Sequence, residues 1–255
     1  MGVLKNKNIM IMGIRNKKSI AWGIAKCAYE QGANLILTYE KEKERETIEE
    51  LTKDFTNLII IKCNVADDKQ VETLFNEMKK NVHEIHGIAH CIAHTDEKEL
   101  KKSFINTSRE GFTHTMDISA YSLLLISKYA KDLMPSGGSI VTLTYYGADK
   151  VMSGYNIMGV AKAALESTVR YLANELGPIG IRVNTISPGP IKTVSTKAIN
   201  EFDNLYENVE RKSPLRKSVT PEDVGNAAVF FLSDLSSSVT GEILFVDNGY
   251  NIMGD

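Results

Sequence analysis

Seven short, almost wholly apolar runs recur along the chain, separated by longer amphipathic stretches. The runs are Ile9–Met12, Asn34–Tyr39, Leu58–Cys63, Gly87–Ala93, Ser139–Thr144, Ile181–Ile186 and Ile243–Val246. Helical patterns fall near 20–31, 68–82, 109–134, 154–176 and 221–233, and a highly charged stretch covers 40–54. A near-continuous apolar strand is one covered on both faces. Strands alternating with helices require right-handed crossovers and a mostly parallel sheet. The expected architecture is α/β: one Rossmann-type doubly wound sheet of about seven parallel strands, helices on both faces, in a single domain over 1–255. No Pro/Ser-rich linker, repeat or low-complexity tract divides the chain. One connection, 192–212, is longer than usual and reads as a functional lid or a surface excursion.

Composition narrows the function. The 255 residues, 43% of them hydrophobic, suffice for one sizeable core. With 30 Lys+Arg against 32 Asp+Glu the net charge is −2, so no basic face points to nucleic acid. No apolar run is long enough for a bilayer, and Met1-Gly2-Val3-Leu4-Lys5 lacks the apolar stretch of a signal peptide. Asn6 stands where a myristoylation start wants Ser or Thr. Cys27, Cys63 and Cys91 are scattered, so they read as small apolar residues of a reducing compartment, and a cytoplasmic location is expected.

The first run ends at Gly13, and the segment Ile14 to Ala25 leads into a helix. Glycine permits a tight turn there, Gly23 lets the helix approach the sheet, and the helix N-terminus offers N–H groups to a pyrophosphate. A purely structural turn reads equally well, since this is not G-x-G-x-x-G. Ser19 reads as a phosphate partner or as a helix cap. The second run ends at Tyr39-Glu40. An acid there accepts bonds from ribose hydroxyls and repels a 2′-phosphate, favouring NAD over NADP; nearby Lys41 and Lys43 pull the other way, and an exposed helix start is the plainer reading.

Tyr155-Asn156-Ile157-Met158-Gly159-Val160-Ala161-Lys162 opens the pattern at 154–176. On a helix, residues seven apart lie nearly on one face. A tyrosine hydroxyl can donate to an oxygen that becomes negative during hydride transfer, and an ammonium can hold a ribose and favour that charge. An ordinary Tyr and a solvated Lys fit the spacing too.

Taken together, Gly13 with Ser19-Ile20-Ala21-Trp22-Gly23-Ile24-Ala25, Thr144-Tyr145-Tyr146-Gly147 and Tyr155-x-x-Met158-x-x-x-Lys162 resemble the bacterial enoyl-acyl-carrier-protein reductases of the short-chain dehydrogenase/reductase superfamily. Ser108-Arg109-Glu110-Gly111-Phe112, Asp117-Ile118-Ser119, Gly189-Pro190-Ile191-Lys192-Thr193 and Val246-Asp247-Asn248-Gly249-Tyr250 extend the resemblance over essentially the whole chain. The Tyr-x6-Lys spacing is its most discriminating part, because ordinary superfamily members use Tyr-x3-Lys.

The resemblance implies NADH-dependent reduction of the trans-2 double bond of enoyl thioesters on acyl-carrier protein, in fatty-acid elongation. Tyr155 would polarise or protonate the thioester enolate oxygen, Lys162 would bind the nicotinamide ribose and assist, and Tyr145 would be the second active-site tyrosine. Gly13, Ser19, Ile20, Glu40, Asn64, Val65, Ile92, Lys162, Ile191 and Thr193 would line the cofactor. Thr95, Tyr145 and Tyr155 would meet the substrate, under a lid at about 192–210. A homotetramer is implied as well. The alternatives are a short-chain ketone or β-ketoacyl reductase and a non-catalytic dinucleotide sensor.

The chain departs from the family at Asn64, where Asp is usual, at His94, where Phe is common, at Pro188, where Ala is frequent, and at Val194-Ser195-Thr196. Asn64 can still bond an adenine amino group through its amide oxygen. His86, His90 and His94 are four apart, as metal ligands on a helix would be, but the segment reads as strand and loop, so no metal is expected. Tyr146-x-x-x-Lys150 matches the ordinary superfamily spacing but falls in the loop after the fifth run, so Tyr155 and Lys162 are preferred.

Overall fold

The computed structural model describes residues 2–193 and 202–254, with side chains omitted over 202–205. Among the described residues, seven parallel strands form one sheet in the order β3-β2-β1-β4-β5-β6-β7. They are β1 (Asn8–Met12), β2 (Asn34–Tyr39), β3 (Leu58–Lys62), β4 (Gly87–His90), β5 (Gly138–Leu143), β6 (Ile181–Pro188) and β7 (Ile243–Val246). The helices are α1 (Ile20–Glu30), α2 (Glu42–Leu51), α3 (Asp68–Asn81), α4 (Glu97–Lys101), α5 (Arg109–Met116), α6 (Ser122–Ala130), α7 (Ile157–Leu176), α8 (Phe202–Lys212) and α9 (Pro221–Leu232). Single-domain Rossmann-type architecture, expected from the alternating runs, is what the chain adopts.

The apolar runs are strands because both of their faces are covered. Ile9, Ile11, Leu35 and Leu37 pack on one face with Ile24 of α1 and Val224, Ala228 and Phe231 of α9. Met10, Met12, Ile36 and Ile88 pack on the other with α3, α6 and α7, through Val71, Phe75, Leu123, Leu165 and Val169. Ile9, Met10, Ile11 and Ile24 are wholly buried. Each such side chain contributes about 1.5–3 kcal/mol. The helix starts are chemically marked. The Asp67 carboxylate accepts from Lys69 N and Gln70 N at the start of α3, and Thr220 and Asp223 form a reciprocal cap around Pro221 of α9.

Three expectations change. Gly23 brings α1 close to α9, not to the sheet. A Cβ at Gly23 would stand 2.3 Å from the Pro221 carbonyl oxygen, and one at Gly225 would stand 2.6 Å from Gly23 O. Two glycines thus let the helices touch backbone to backbone. The helical region at 109–134 is not one regular helix, because a π-helical turn over Asp117–Tyr121 separates α5 from α6. Tyr155 lies outside α7, two residues before its start. The helical-face argument for Tyr155 and Lys162 therefore fails, although both side chains reach one cavity.

The lid expected at about 192–210 lies outside the described residues over 194–201, including the divergent Val194-Ser195-Thr196. Its flanks meet: Lys192 Nζ lies 4.5 Å from the centre of the Tyr206 ring. Among the described residues no helix is long and apolar enough to cross a membrane.

Candidate active site

Strand order reverses between β1 and β4, so the loops after those strands diverge and leave a crevice at the carboxyl edge of the sheet. A cavity of about 430 Å³ occupies it. Gly13 follows β1, Cys91 to Thr95 follow β4, Thr144 and Tyr145 follow β5, and Gly189 to Thr193 follow β6. The start of α1 and the region around Tyr155 complete the wall.

Gly13 has φ 94°, and a Cβ there would stand 2.2 Å from the Cys91 carbonyl oxygen. Only glycine fits both the backbone and the space. Ser19 is the N-cap residue of α1, yet its hydroxyl does not cap that helix. Its Oγ accepts from Arg15 N and Asn16 N, both at 3.1 Å, and so closes the preceding turn. The hydroxyl proton stays available to an incoming acceptor. Ile20 and Ala21 line the cavity, and the first turn of α1 carries no acidic residue. Free N–H groups with no competing carboxylate make an anion site. Arg15 lines the same wall, with its Nε 3.4 Å from Glu44 Oε1. Local pattern could have flagged Arg15, the one arginine in this turn.

Tyr145, Tyr155 and Lys162 line the same cavity. The two tyrosine rings meet edge to face, centroids 4.9 Å apart. Burial raises both phenols above the ordinary tyrosine range, each reinforced by a neighbouring tyrosine, so both are neutral hydrogen-bond donors. Lys162 is 4% exposed, and its Nζ donates to Leu143 O at 2.8 Å. Burial lowers its pKa to about 8 against opposing pulls from Cys91 and Glu166. Cys91 lines the cavity too, and burial pushes its thiol up to about 12, which keeps it protonated.

Tyr155 owes its place to Asn156. That residue has φ 44°, a conformation side chains rarely adopt. Its amide donates to Leu100 O at 2.9 Å and Lys102 O at 2.8 Å, which locks the turn onto the end of α4.

Gly13, Ser19, Ile20, Ile92, Thr95, Tyr145, Tyr155, Lys162, Ile191 and Thr193 all line the cavity. Glu40, Asn64 and Val65 do not; they follow β2 and β3 on the same edge, farther along the sheet. The Asn64 amide oxygen already accepts from Ala66 N at 3.0 Å, so its bond to an adenine amino group would use the second lone pair. The lining also includes Glu97 and Leu100, which no motif marked, together with Met158 and Pro190 of the quoted motifs and the divergent His94. Tyr146 and Lys150 stay outside: the Tyr146 hydroxyl points to Asn251 O, and Lys150 pairs with Asp149 at 3.0 Å.

An anion-binding helix start, a glycine that admits close approach and two neutral phenols beside a buried amine can hold a dinucleotide and polarise a carbonyl oxygen next to it. Comparison with known proteins gives that chemistry a lineage. A family model described as Enoyl-(Acyl carrier protein) reductase matches residues 13–251. The enoyl-(acyl-carrier-protein) reductase (NADH) FabI of Bacillus subtilis is 49% identical over 98% of this chain and 97% of its own length. Its counterpart from Aquifex aeolicus is 45% identical over 100% of this chain and 94% of its own. The structure of the Bacillus cereus enoyl-acyl carrier protein reductase with NADP+ and indole naphthyridinone superposes with a TM-score of 0.98 at 45% identity, each chain covered in full. The Anaplasma phagocytophilum reductase in complex with NAD gives 0.96 at 41% identity, covering 100% of this chain and 97% of that one. With likeness this high from end to end, the chain belongs to the enoyl-(acyl carrier protein) reductase family.

Proposed function

We propose that the chain reduces the trans-2 double bond of enoyl-acyl-carrier-protein thioesters, using NADH, in the elongation cycle of fatty-acid biosynthesis. The observation that carries this reading is that Tyr145, Tyr155 and Lys162 line the same cavity as the acid-free start of α1.

The cavity fits the cofactor by its own features. Gly13 leaves a cradle that a Cβ would fill, and the α1 N-terminus faces it. Gly13, Ser19, Ile20, Ile92, Ile191 and Thr193 would hold it there, with Glu40, Asn64 and Val65 at the adenosine end. When bound, NADH supplies a hydride to the β-carbon of the substrate. The Tyr155 hydroxyl donates to the thioester oxygen as it becomes negative. Lys162 holds the nicotinamide ribose and adds positive charge behind that oxygen. Tyr145 packs on Tyr155 and, with Thr95, borders the acyl chain. The enolate then takes a proton at the α-carbon, from the Tyr155 hydroxyl or from solvent. Water exclusion by the buried walls strengthens each of these electrostatic contacts.

The natural partner is acyl-carrier protein bearing the thioester, and the location we infer is the cytoplasm. We also infer a homotetramer. Edge strand β7 leaves Leu244 and Phe245 more than one third exposed, an apolar edge suited to a second copy. Sedimentation equilibrium tests the assembly.

Following nicotinamide absorbance with enoyl and β-ketoacyl thioesters in parallel tests the reaction. Loss of NADH with the enoyl substrate, yielding a saturated acyl product, supports the reading. Reduction of the β-ketoacyl thioester alone would overturn it and favour the ketoreductases.

A further inference from the structure

The three histidines at four-residue spacing do not meet. His90 is wholly buried on β4, with Thr142 Oγ1 at 3.0 Å and Ser122 Oγ at 2.9 Å on its two ring nitrogens. His86 accepts from Asn8 N at 3.0 Å and faces Glu84 at 3.2 Å. His94 alone has other company. Among the described residues, one His/Cys/Asp/Glu group is arranged as metal ligands are, and it is His94, Asp96 and His114, whose ligand atoms all lie within 4.8 Å of one another.

We propose that His94, Asp96 and His114 form a binding site for a divalent transition metal of the zinc class at the rim of the substrate cavity.

The three side chains are already grouped. His94 Nε2 lies 3.9 Å from Asp96 Oδ1, and the two imidazoles stand edge to face with centroids 5.4 Å apart. Tetrahedral ligands at zinc distances stand about 3.3 Å apart, so side-chain rotation of roughly 1 Å closes the site. The backbone around it is clamped. Ser119 Oγ accepts from His94 N at 3.0 Å and donates to His94 O at 2.9 Å. Thr95 and Thr115 hydroxyls bond at 2.6 Å, which ties the loop after β4 to α5 one residue on from both histidines. Lys98 Nζ pairs with the far oxygen, Asp96 Oδ2, at 3.5 Å, leaving Oδ1 toward His94.

Two imidazoles and one carboxylate suit zinc, cobalt or nickel over magnesium or calcium, which favour all-oxygen sites. Three protein ligands leave a fourth position open. Because His94 also lines the cavity, an ion held there would border the space in which the thioester is expected. An occupied site should slow turnover, a consequence that rests on the reductase reading.

Binding is therefore measured directly, on chelator-treated, tag-free full-length protein. Zn2+ titrated calorimetrically is expected to bind saturably, one ion per chain. Co2+ should give visible d–d absorption of a four-coordinate site without thiolate charge transfer. His114→Gln should weaken Zn2+ at least the roughly 10–100-fold that even a supporting partner of a metal ligand is worth. Asp96→Asn, at a half-exposed position, serves as a second variant and should weaken it too. Absence of saturable binding, a thiolate band assigning the metal to a cysteine, or unchanged affinity in both variants would overturn the proposal, whatever the enzyme's activity.

Discussion

The Tyr145 and Tyr155 rings lie edge to face at 4.9 Å, and burial holds both phenols neutral. A neutral phenol donates to a developing oxyanion and does not serve as a base at ordinary pH. Removing the Tyr155 hydroxyl should thus lower kcat by roughly 10²-fold, the low end for a positioned proton donor. Tyr155→Phe assayed with saturating NADH and enoyl thioester checks this; an unchanged kcat removes Tyr155 from the mechanism.

Lys162 should give the proposed reaction an alkaline limit. Its pKa in the folded chain is about 8, below the free-lysine value of 10.5. The ammonium is lost as pH rises through about 8, and with it the charge behind the substrate oxygen. The pH profile of kcat/KM should fall above about pH 8, and Lys162→Met should flatten that limb while weakening NADH binding. For stability the sign is opposite. The unfolded chain keeps this proton up to 10.5, so burying Lys162 costs most below pH 8, and that cost shrinks between 8 and 10.5.

Asn156 couples stability to the site. Asn156→Ala loses two hydrogen bonds to α4 and keeps the unfavourable φ of 44°. It should destabilise the fold by about 2 kcal/mol and lower kcat by misplacing Tyr155. Asn156→Gly relieves the backbone but not the bonds, so its Tm should fall between those of wild type and the alanine variant. Thermal melts of the three proteins decide it. Equal Tm values would mean that the amide bonds contribute nothing.

Glu40 follows β2 at the carboxyl edge of the sheet, outside the cavity wall, and its backbone N–H donates to Glu44 Oε2 at 3.0 Å. Its carboxylate should repel a 2′-phosphate. Glu40→Gln is expected to narrow the ratio of kcat/KM for NADH over NADPH. A wild-type preference for NADPH would defeat this role.

The sheet was legible because covered strands must be apolar throughout, and Ile9 to Met12 or Asn34 to Tyr39 can satisfy little else. Tyr155 was legible as a residue but not as a position. Its turn depends on Asn156 reaching Leu100 and Lys102, more than fifty residues away, and helical spacing carries no trace of that contact. Gly23 was read as a close-approach glycine, correctly, but its partner on α9 is nearly two hundred residues distant, so the sheet was taken instead. The spacing of His86, His90 and His94 pointed along the chain, whereas His94 meets Asp96 and His114 across a loop and a helix.

The most direct test of the account places the transferred hydrogen. The protein is given a trans-2-enoyl thioester and NADH deuterated on the transferred face of C4, and the product is analysed by mass spectrometry and NMR. One deuterium at the β-carbon of a saturated acyl chain is the predicted result. Deuterium on the carbinol carbon of a β-hydroxyacyl product, formed from a β-ketoacyl thioester while the enoyl substrate is returned unchanged, would contradict it.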